Sequence, residues 1–401
     1  MLTRRSILAG GCAFAAFGAG SISARAAGRR DLRLVVLILR GGLDGLATVG
    51  PLGDPDYGRH HGEAALRRDG VKPALDLDGF FALNPAMPVF HRLFQERQAA
   101  IIHAVATGYR ERSHFDGQDV LESGQPGPGR VESGWLNRAV GLMAATPPIQ
   151  GLSVGPTVPL VLRGAAPVMG WAPQTLPPAG DALAERVLAL YRHRDPELGK
   201  ALADGIASDR MASEGGVTGS MARGRGGMDT PAGMRQAAAG AARLLATADG
   251  PRVAALAFDG WDTHAGEGVT GGTLFNRLAG LDGALDAVRT GLGPGWKDTI
   301  VVVMTEFGRT VRINGTGGTD HGTASVTLLA GGAVKGGRVI ADWPGLADSA
   351  LYEGRDLKPT IDLRAVLKGV LAEGFGLSDR ALAEIVFPDT SKIPALRGML
   401  S

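Results

Sequence analysis

Four short apolar runs decide most of what this chain can become. Residues 32–39 read LRLVVLIL, 99–106 read AAIIHAVA, 253–258 read VAALAF and 300–304 read IVVVM. Runs this short, aliphatic and nearly free of polar residues are the pattern of strands buried on both faces of a parallel sheet. Between and after them, residues 85–97, 131–143, 181–194, 234–247, 272–288, 361–372 and 378–385 read as helices. The first carries Met87, Phe90, Leu93 and Phe94 on one face. Strands alternating with helices specify an α/β fold built on a mostly parallel sheet.

Each of the four runs stops in polar residues, and ligands of open α/β sheets sit at the carboxyl ends of strands. The first gives Arg40-Gly41-Gly42-Leu43-Asp44, whose glycines permit a sharp turn and a close backbone approach. It lacks G-x-G-x-x-G spacing and a Walker lysine, so nucleotide binding is a poor reading. The second run leads to Ser113-His114-Phe115-Asp116. Consecutive residues cannot converge as a catalytic triad does, so Ser113 reads as a helix-start serine beside a metal, with His114 next to it. The third leads to Asp259-Gly260-Trp261-Asp262-Thr263-His264. In extended chain Asp262 and His264 face the same side, a spacing suited to one metal ion. The fourth leads to Glu306 and then, through a Gly/Asn/Thr loop, to Asp320-His321 before a further apolar run, 326–330. Taken singly, each has a plainer explanation: Asp44 and Ser113 as helix N-caps, Asp-x-His and Asp-His as hydrogen-bonded turns. Their gathering at one edge of one sheet favours a metal-centred site. Mixed carboxylate and imidazole ligands suit zinc or another transition ion.

Residues 1–27 read as an export leader and not as part of the fold. Thr3-Arg4-Arg5-Ser6-Ile7-Leu8 is a twin-arginine segment, an apolar stretch follows, and Ala24-Arg25-Ala26 supplies a small-x-small cleavage site. Such a leader implies passage through the twin-arginine (Tat) translocase to the periplasm. The one cysteine, Cys12, lies within it, so the mature chain has no disulfide, thiolate ligand or cysteine nucleophile. Removing the leader's three arginines from 42 basic residues leaves 39 against 40 acidic ones, a formal charge of −1. That balance gives no reason to expect nucleic acid as a partner. No later apolar run reaches the roughly 18 residues of a membrane span. Residues 28–401 are expected to form one domain, with a loose Gly/Met/Ala-rich insertion at 208–233. The histidines at 60 and 61, in an irregular stretch, attract no role.

The motifs LRGGLDGL, YRERSHFDGQD, FDGWDTHAG, MTEFGRT and GGTDHGTAS, behind a twin-arginine leader, resemble the domain-of-unknown-function 1501 family of exported bacterial proteins. The match runs over essentially the whole mature chain. That family is similar to the alkaline phosphatase and sulfatase superfamily, doubly wound α/β metallohydrolases with helices on both faces of the sheet. The resemblance implies metal ligands at Asp44, Asp262, His264, Glu306, Asp320 and His321, with Asp259 a further candidate. It implies one or two divalent ions, zinc first and manganese or calcium as alternatives, and a small anionic phosphate or sulfate ester as substrate. Ser113 is nearest the nucleophile's expected place, with His114 beside it. The chain departs from the pattern in lacking the sulfatase C/S-x-P-x-R motif, and it reads Glu306-Phe307 where superfamily phosphatases place Asp-His. A non-catalytic metal-binding or assembly protein on the same fold is therefore the alternative to a metal-dependent ester hydrolase.

Overall fold

The apolar runs pair side by side at the centre of one sheet. The structure, a computed structural model, describes residues 30–143, 151–173, 181–214 and 227–401. The export leader falls outside those residues. In chain order the strands are β1 (Arg33–Leu39), β2 (Val49–Gly50), β3 (Leu75–Asp76), β4 (Ala82–Leu83), β5 (Ala99–Ala106), β6 (Gly151–Val154), β7 (Val168–Trp171), β8 (Val253–Phe258), β9 (Thr299–Thr305), β10 (Ser325–Ala330), β11 (Arg338–Ile340) and β12 (Ile361–Asp362). Nine of them form the main sheet in the order β11-β5-β10-β9-β1-β8-β6-β7, with β12 also on β5. The small strands β2, β4 and β3 make a separate three-stranded sheet.

Every pairing in the main sheet is parallel except those of β10, which runs antiparallel to both β5 and β9. Leu39 is level with Phe258 on one side and Thr305 on the other, so β1, β8 and β9 release their chains at the same height. The reversed β10 begins at that edge. The residues just before it, Asp320 and His321, therefore meet the residues just after the other strands.

Both faces of the sheet are covered. Val35, Leu37 and Leu39 join one large apolar cluster with residues of the helices Pro88–Gln95, Pro231–Ala246 and Thr273–Leu292. The intervening Leu34, Val36 and Ile38 are equally buried. This is the doubly wound, mostly parallel sheet flanked by helices that the sequence leads one to expect. Burial on both faces explains why these strands read as unbroken apolar runs and not as alternating ones.

Residues 160–162, a short apolar stretch, form a 3₁₀ turn after Pro159. The segment expected to be loose contributes its first residues to the helix Pro196–Glu214. Its last residues form the turn Gly227–Asp229 and the start of the helix Pro231–Ala246. Residues 215–226 lie outside those described. His60 and His61, placed by the sequence in an irregular stretch, are both buried.

His103 sits wholly inside β5. Its Nε2–H donates to the Val49 carbonyl at 2.9 Å, leaving Nδ1 to accept the Ala104 amide at 2.8 Å, and the ring stacks on Phe81. Burial pulls its pKa down to about 4. The unfolded chain takes up this proton near pH 6.5 and the folded chain only near pH 4, so acidification through that window favours unfolding by about 3 kcal/mol. Denaturant unfolding of wild type and His103→Asn between pH 7 and pH 4 should show the variant less stable at pH 7. Its loss of stability on acidification should be smaller by about that amount.

Candidate metal centre

The site is assembled where the strand ends are level, and close backbone packing sets it. Gly41 follows β1 at φ +125°, and a Cβ there would stand 2.4 Å from the Asp262 amide nitrogen. Only glycine allows the β1 and β8 exits to touch in this way. The Gly41 N–H then donates to Glu306 Oε1 at 2.8 Å, tying in the β9 exit. Beyond β9 the chain doubles back. Thr310 N–H donates to the Asp320 carbonyl at 2.9 Å and Gly322 N–H to the Gly308 carbonyl at 2.8 Å, with Arg309 bridging His321. That narrow ladder carries Asp320-His321 over the sheet edge, and Thr319 N–H donates to the Thr263 carbonyl at 3.2 Å, closing it onto the β8 exit. His114 arrives as the first residue of the helix His114–Ser123, behind the N-cap Ser113.

His114, Asp262 and His321 each present a ligand atom, and these atoms all lie within 4.8 Å of one another. His114 Nε2 is 3.4 Å from Asp262 Oδ2, and His321 Nε2 is 3.3 Å from Asp262 Oδ1. His264 adjoins on the far side, its Nε2 3.1 Å from Asp262 Oδ1 and 3.0 Å from His321 Nε2. Donor atoms at the corners of a tetrahedron with zinc–ligand bonds of about 2.0–2.1 Å would be roughly 3.4 Å apart. The edges from His114 and His321 to the two oxygens of Asp262 are close to that, and the widest edge of the group is at most 4.8 Å.

The rings' other nitrogens decide which atoms are free. His321 Nδ1 is 2.8 Å from the Arg112 carbonyl, which can only accept, so Nδ1 carries the proton and Nε2 keeps its lone pair. His114 Nδ1 donates to Glu306 Oε1 at 2.9 Å and His264 Nδ1 to Asp320 Oδ1 at 3.2 Å. All three imidazoles thus turn Nε2 inward from a hydrogen bond made by Nδ1, the arrangement that fixes the tautomer of metal-binding histidines. His114 Nε2 is buried and has no hydrogen-bond partner. His264 and His321, both with Nε2 available as acceptors, face each other across 3.0 Å, which neutral rings do not favour without a cation or proton between them. A His/Asp group able to coordinate a divalent metal stands here, and its donor set fits one.

Charge and burial around the group favour an ionised Asp262 and a neutral His321, and a proton on His114 in the absence of an ion. Burial works against the Asp262 carboxylate, but the Arg309 hydrogen bond at 2.7 Å, with the Arg309 charge, holds its pKa below the usual carboxylate range. Burial lowers the pKa of His321, favouring the neutral ring. The Glu306 hydrogen bond raises that of His114. Their side chains retain 24%, 39% and 25% exposure for His114, Asp262 and His321, so the group opens to solvent.

Of the residues expected to be metal ligands, Asp262, His264 and His321 come together, and His114, expected beside a nucleophile, joins them. Glu306 is fully buried behind His114. Its carboxylate already accepts from Gly41 N–H, His114 Nδ1–H and, at 3.0 Å, the Thr305 hydroxyl, so it holds the His114 ring from behind. Asp320 backs His264 in the same way and accepts from Asn314 as well. Asp44 stands apart. Its Oδ1 caps the short helix Gly45–Thr48 by accepting the Ala47 amide at 2.8 Å, and its Oδ2 faces His61 Nε2 at 3.6 Å. Asp259 is exposed, and its amide donates to Asp229. Ser113 is the N-cap residue but its hydroxyl makes no capping bond, and its amide donates to the Tyr109 hydroxyl at 3.4 Å. Arg309 escaped the sequence reading, although it lies in the MTEFGRT stretch. Its signal was an arginine four residues past the end of a buried strand, where a side-chain charge that is 0% exposed needs a carboxylate partner.

An α/β protein with a His/Asp metal-binding group at the carboxyl edge of its sheet is the class these observations define. The chain belongs to the family described as Protein of unknown function (DUF1501), whose model matches residues 31–386. No curated protein matches the sequence. Among solved structures, Ps i-CgsB in complex with k-i-k-neocarrahexaose aligns with a TM-score of 0.45 and 11% identity, over 91% of this chain and 77% of that one. A Bacteroides thetaiotaomicron structure concerned with glycosaminoglycan metabolism aligns at 0.39 and 8%, over 90% and 75%. The phosphonate monoester hydrolase of Agrobacterium radiobacter aligns at 0.34 and 13%, over 86% and 74%. At such scores the likeness bears on neither activity nor substrate.

Replacing His114 or His321 with Ala should lower bound metal sharply in elemental analysis of purified protein. Asp44→Ala should leave metal content unchanged and cost about 1 kcal/mol or more in denaturant unfolding, through loss of the cap. Metal lost from the Asp44 variant at full folding would return that residue to the ligand set.

Proposed function

We propose that this protein is a metal-dependent hydrolase of small anionic esters, phosphate or sulfate. In this reading His114, Asp262 and His321 hold the ion and His264 provides a fourth donor. The observation that supports it most is the inward turn of three Nε2 atoms onto one carboxylate, each ring held by a hydrogen bond at Nδ1. An imidazole-rich set favours zinc or another first-row ion over calcium, which takes oxygen ligands. When bound, the ion would supply Lewis-acid polarisation of an ester oxygen. The chain's own residues do the positioning. Arg309 orients Asp262, Glu306 and Asp320 hold the ring protons, and the helix His114–Ser123 starts at the group with its positive dipole end toward an anion.

The rival reading is a non-catalytic metal-binding or assembly protein. Ser113 favours it, since the one candidate nucleophile near the group has its amide on Tyr109 and no confirming motif around it. Purified protein should contain zinc, and a panel of chromogenic phosphate and sulfate esters should include at least one that it turns over. Chelation should abolish that turnover and added zinc restore it. Ser113→Ala should keep the metal and lower turnover if the serine attacks. Bound metal with no ester hydrolysed across the panel would favour the binding protein.

The site would work in the periplasm if the twin-arginine leader acts as it reads. Changing Arg4 and Arg5 together to Lys should leave precursor in the cytoplasm, as fractionation and immunoblotting would show. Normal periplasmic accumulation of that variant would remove the leader from the account.

A further inference from the structure

Asp356 lies far from the strand exits in sequence and is 0% exposed, yet it anchors two arginines that both end on His321. Its Oδ2 accepts from Arg112 Nε at 3.0 Å and Arg112 Nη2 at 2.9 Å, and from the Thr323 hydroxyl at 2.8 Å. Its Oδ1 accepts from Arg355 Nε at 2.9 Å. Arg112 turns its carbonyl onto His321 Nδ1–H at 2.8 Å, and the Arg355 guanidinium donates to the His321 carbonyl. One buried carboxylate thus fixes the imidazole from its ring side and from its main chain.

The backbone shows that this grip has an energetic cost. Arg112 holds φ +57°, a left-handed conformation that non-glycine residues adopt at a penalty. That conformation persists where surrounding bonds over-determine it, and here the forked contact of two Arg112 nitrogens with one Asp356 oxygen and a further one to Glu353 do so. A carboxylate with two guanidiniums is a stronger and more directional clamp than neutral partners would make. Asp356 is itself held by main-chain bonds, its amide to the Tyr352 carbonyl at 3.0 Å and its carbonyl to the Tyr352 amide at 2.9 Å.

We propose that Asp356 is a positioning residue for metal binding. Through Arg112 and Arg355 it sets the tautomer and orientation of His321 so that Nε2 faces Asp262. This rests on the reading of His114, Asp262 and His321 as the metal-holding group. The carboxylate touches neither metal nor substrate and acts only through the two arginines.

Asp356→Asn keeps the side chain's size and removes the charge that holds both guanidiniums. Two measurements test it on the whole protein. Nitrogen-15 NMR of metal-free protein, with His321 assigned by its Ala variant, should show a single Nδ1–H tautomer in wild type and a mixture in Asp356→Asn. Competition with a chromophoric chelator should give a zinc dissociation constant about 10–100-fold weaker in that variant, the usual range for loss of a ligand's supporting partner. Thr323→Val, which removes a hydroxyl but spares both arginines, should change the constant little. If Asp356→Asn does not fold, Arg112→Ala carries the same test: it keeps the carbonyl that faces His321 but removes its tie to Asp356, and it should mix the tautomers and weaken zinc. A folded Asp356→Asn protein with wild-type tautomer and wild-type zinc affinity overturns the clamp. Wild-type protein that binds no zinc or other divalent ion overturns the metal reading instead, while the tautomer measurement still decides the clamp.

Discussion

The parallel pairing of β1 with β8 and β9 is the constraint on which everything else depends. Its register makes Leu39, Phe258 and Thr305 neighbours, so Arg40, Asp259 and Glu306 leave the sheet together. A shift of one residue on either side would turn each buried strand's side chains to the opposite face. It would also move Gly41 away from the Asp262 amide, against which it packs too closely for any Cβ. The antiparallel β10 completes the edge, because only a reversed strand can begin where its neighbours end.

Around that edge the fold buries an unusual amount of charge. Glu306, Glu267, Asp44 and Asp356 are each at most 1% exposed, and the Arg309 side chain is enclosed as well. Such groups persist only when paired or hydrogen-bonded. Glu306 and Asp356 meet this with charged and polar donors. Glu267 accepts from the Thr263 and Thr319 hydroxyls, and burial, followed by the nearby Asp44 charge, raises its pKa well above the usual range. Removing a partner of Glu306 or Asp356 would leave a buried charge poorly compensated.

The exposed and buried parts of the site divide the work. The imidazole rings and the Asp262 carboxylate keep part of their surface in solvent, while the groups that orient them sit behind: Glu306 behind His114, Arg309 behind Asp262, the Arg112 carbonyl behind His321. Asp320 behind His264 is the exception, with a side chain 57% exposed. His264 is accordingly the least enclosed of the four, at 45%.

Sequence alone determined the sheet and most of its helices, because hydrophobic period and strand length are local properties. It also placed the chemistry at strand exits, since polar residues following a doubly buried strand must emerge at its carboxyl end. What it could not determine was which of those residues would be ligands. His114 and Glu306 are 192 positions apart, and only the folded chain shows that the carboxylate stands behind the ring and not beside it. Asp44 has the same chemistry and the same kind of position as Asp262, yet one turns to a helix end and a buried histidine and the other to the imidazoles. Side-chain direction at a turn is set by backbone dihedrals and by close contacts between distant segments, such as Gly41 against Asp262. Those contacts exist only once the strands have paired, and so tertiary structure decided which side chains converge.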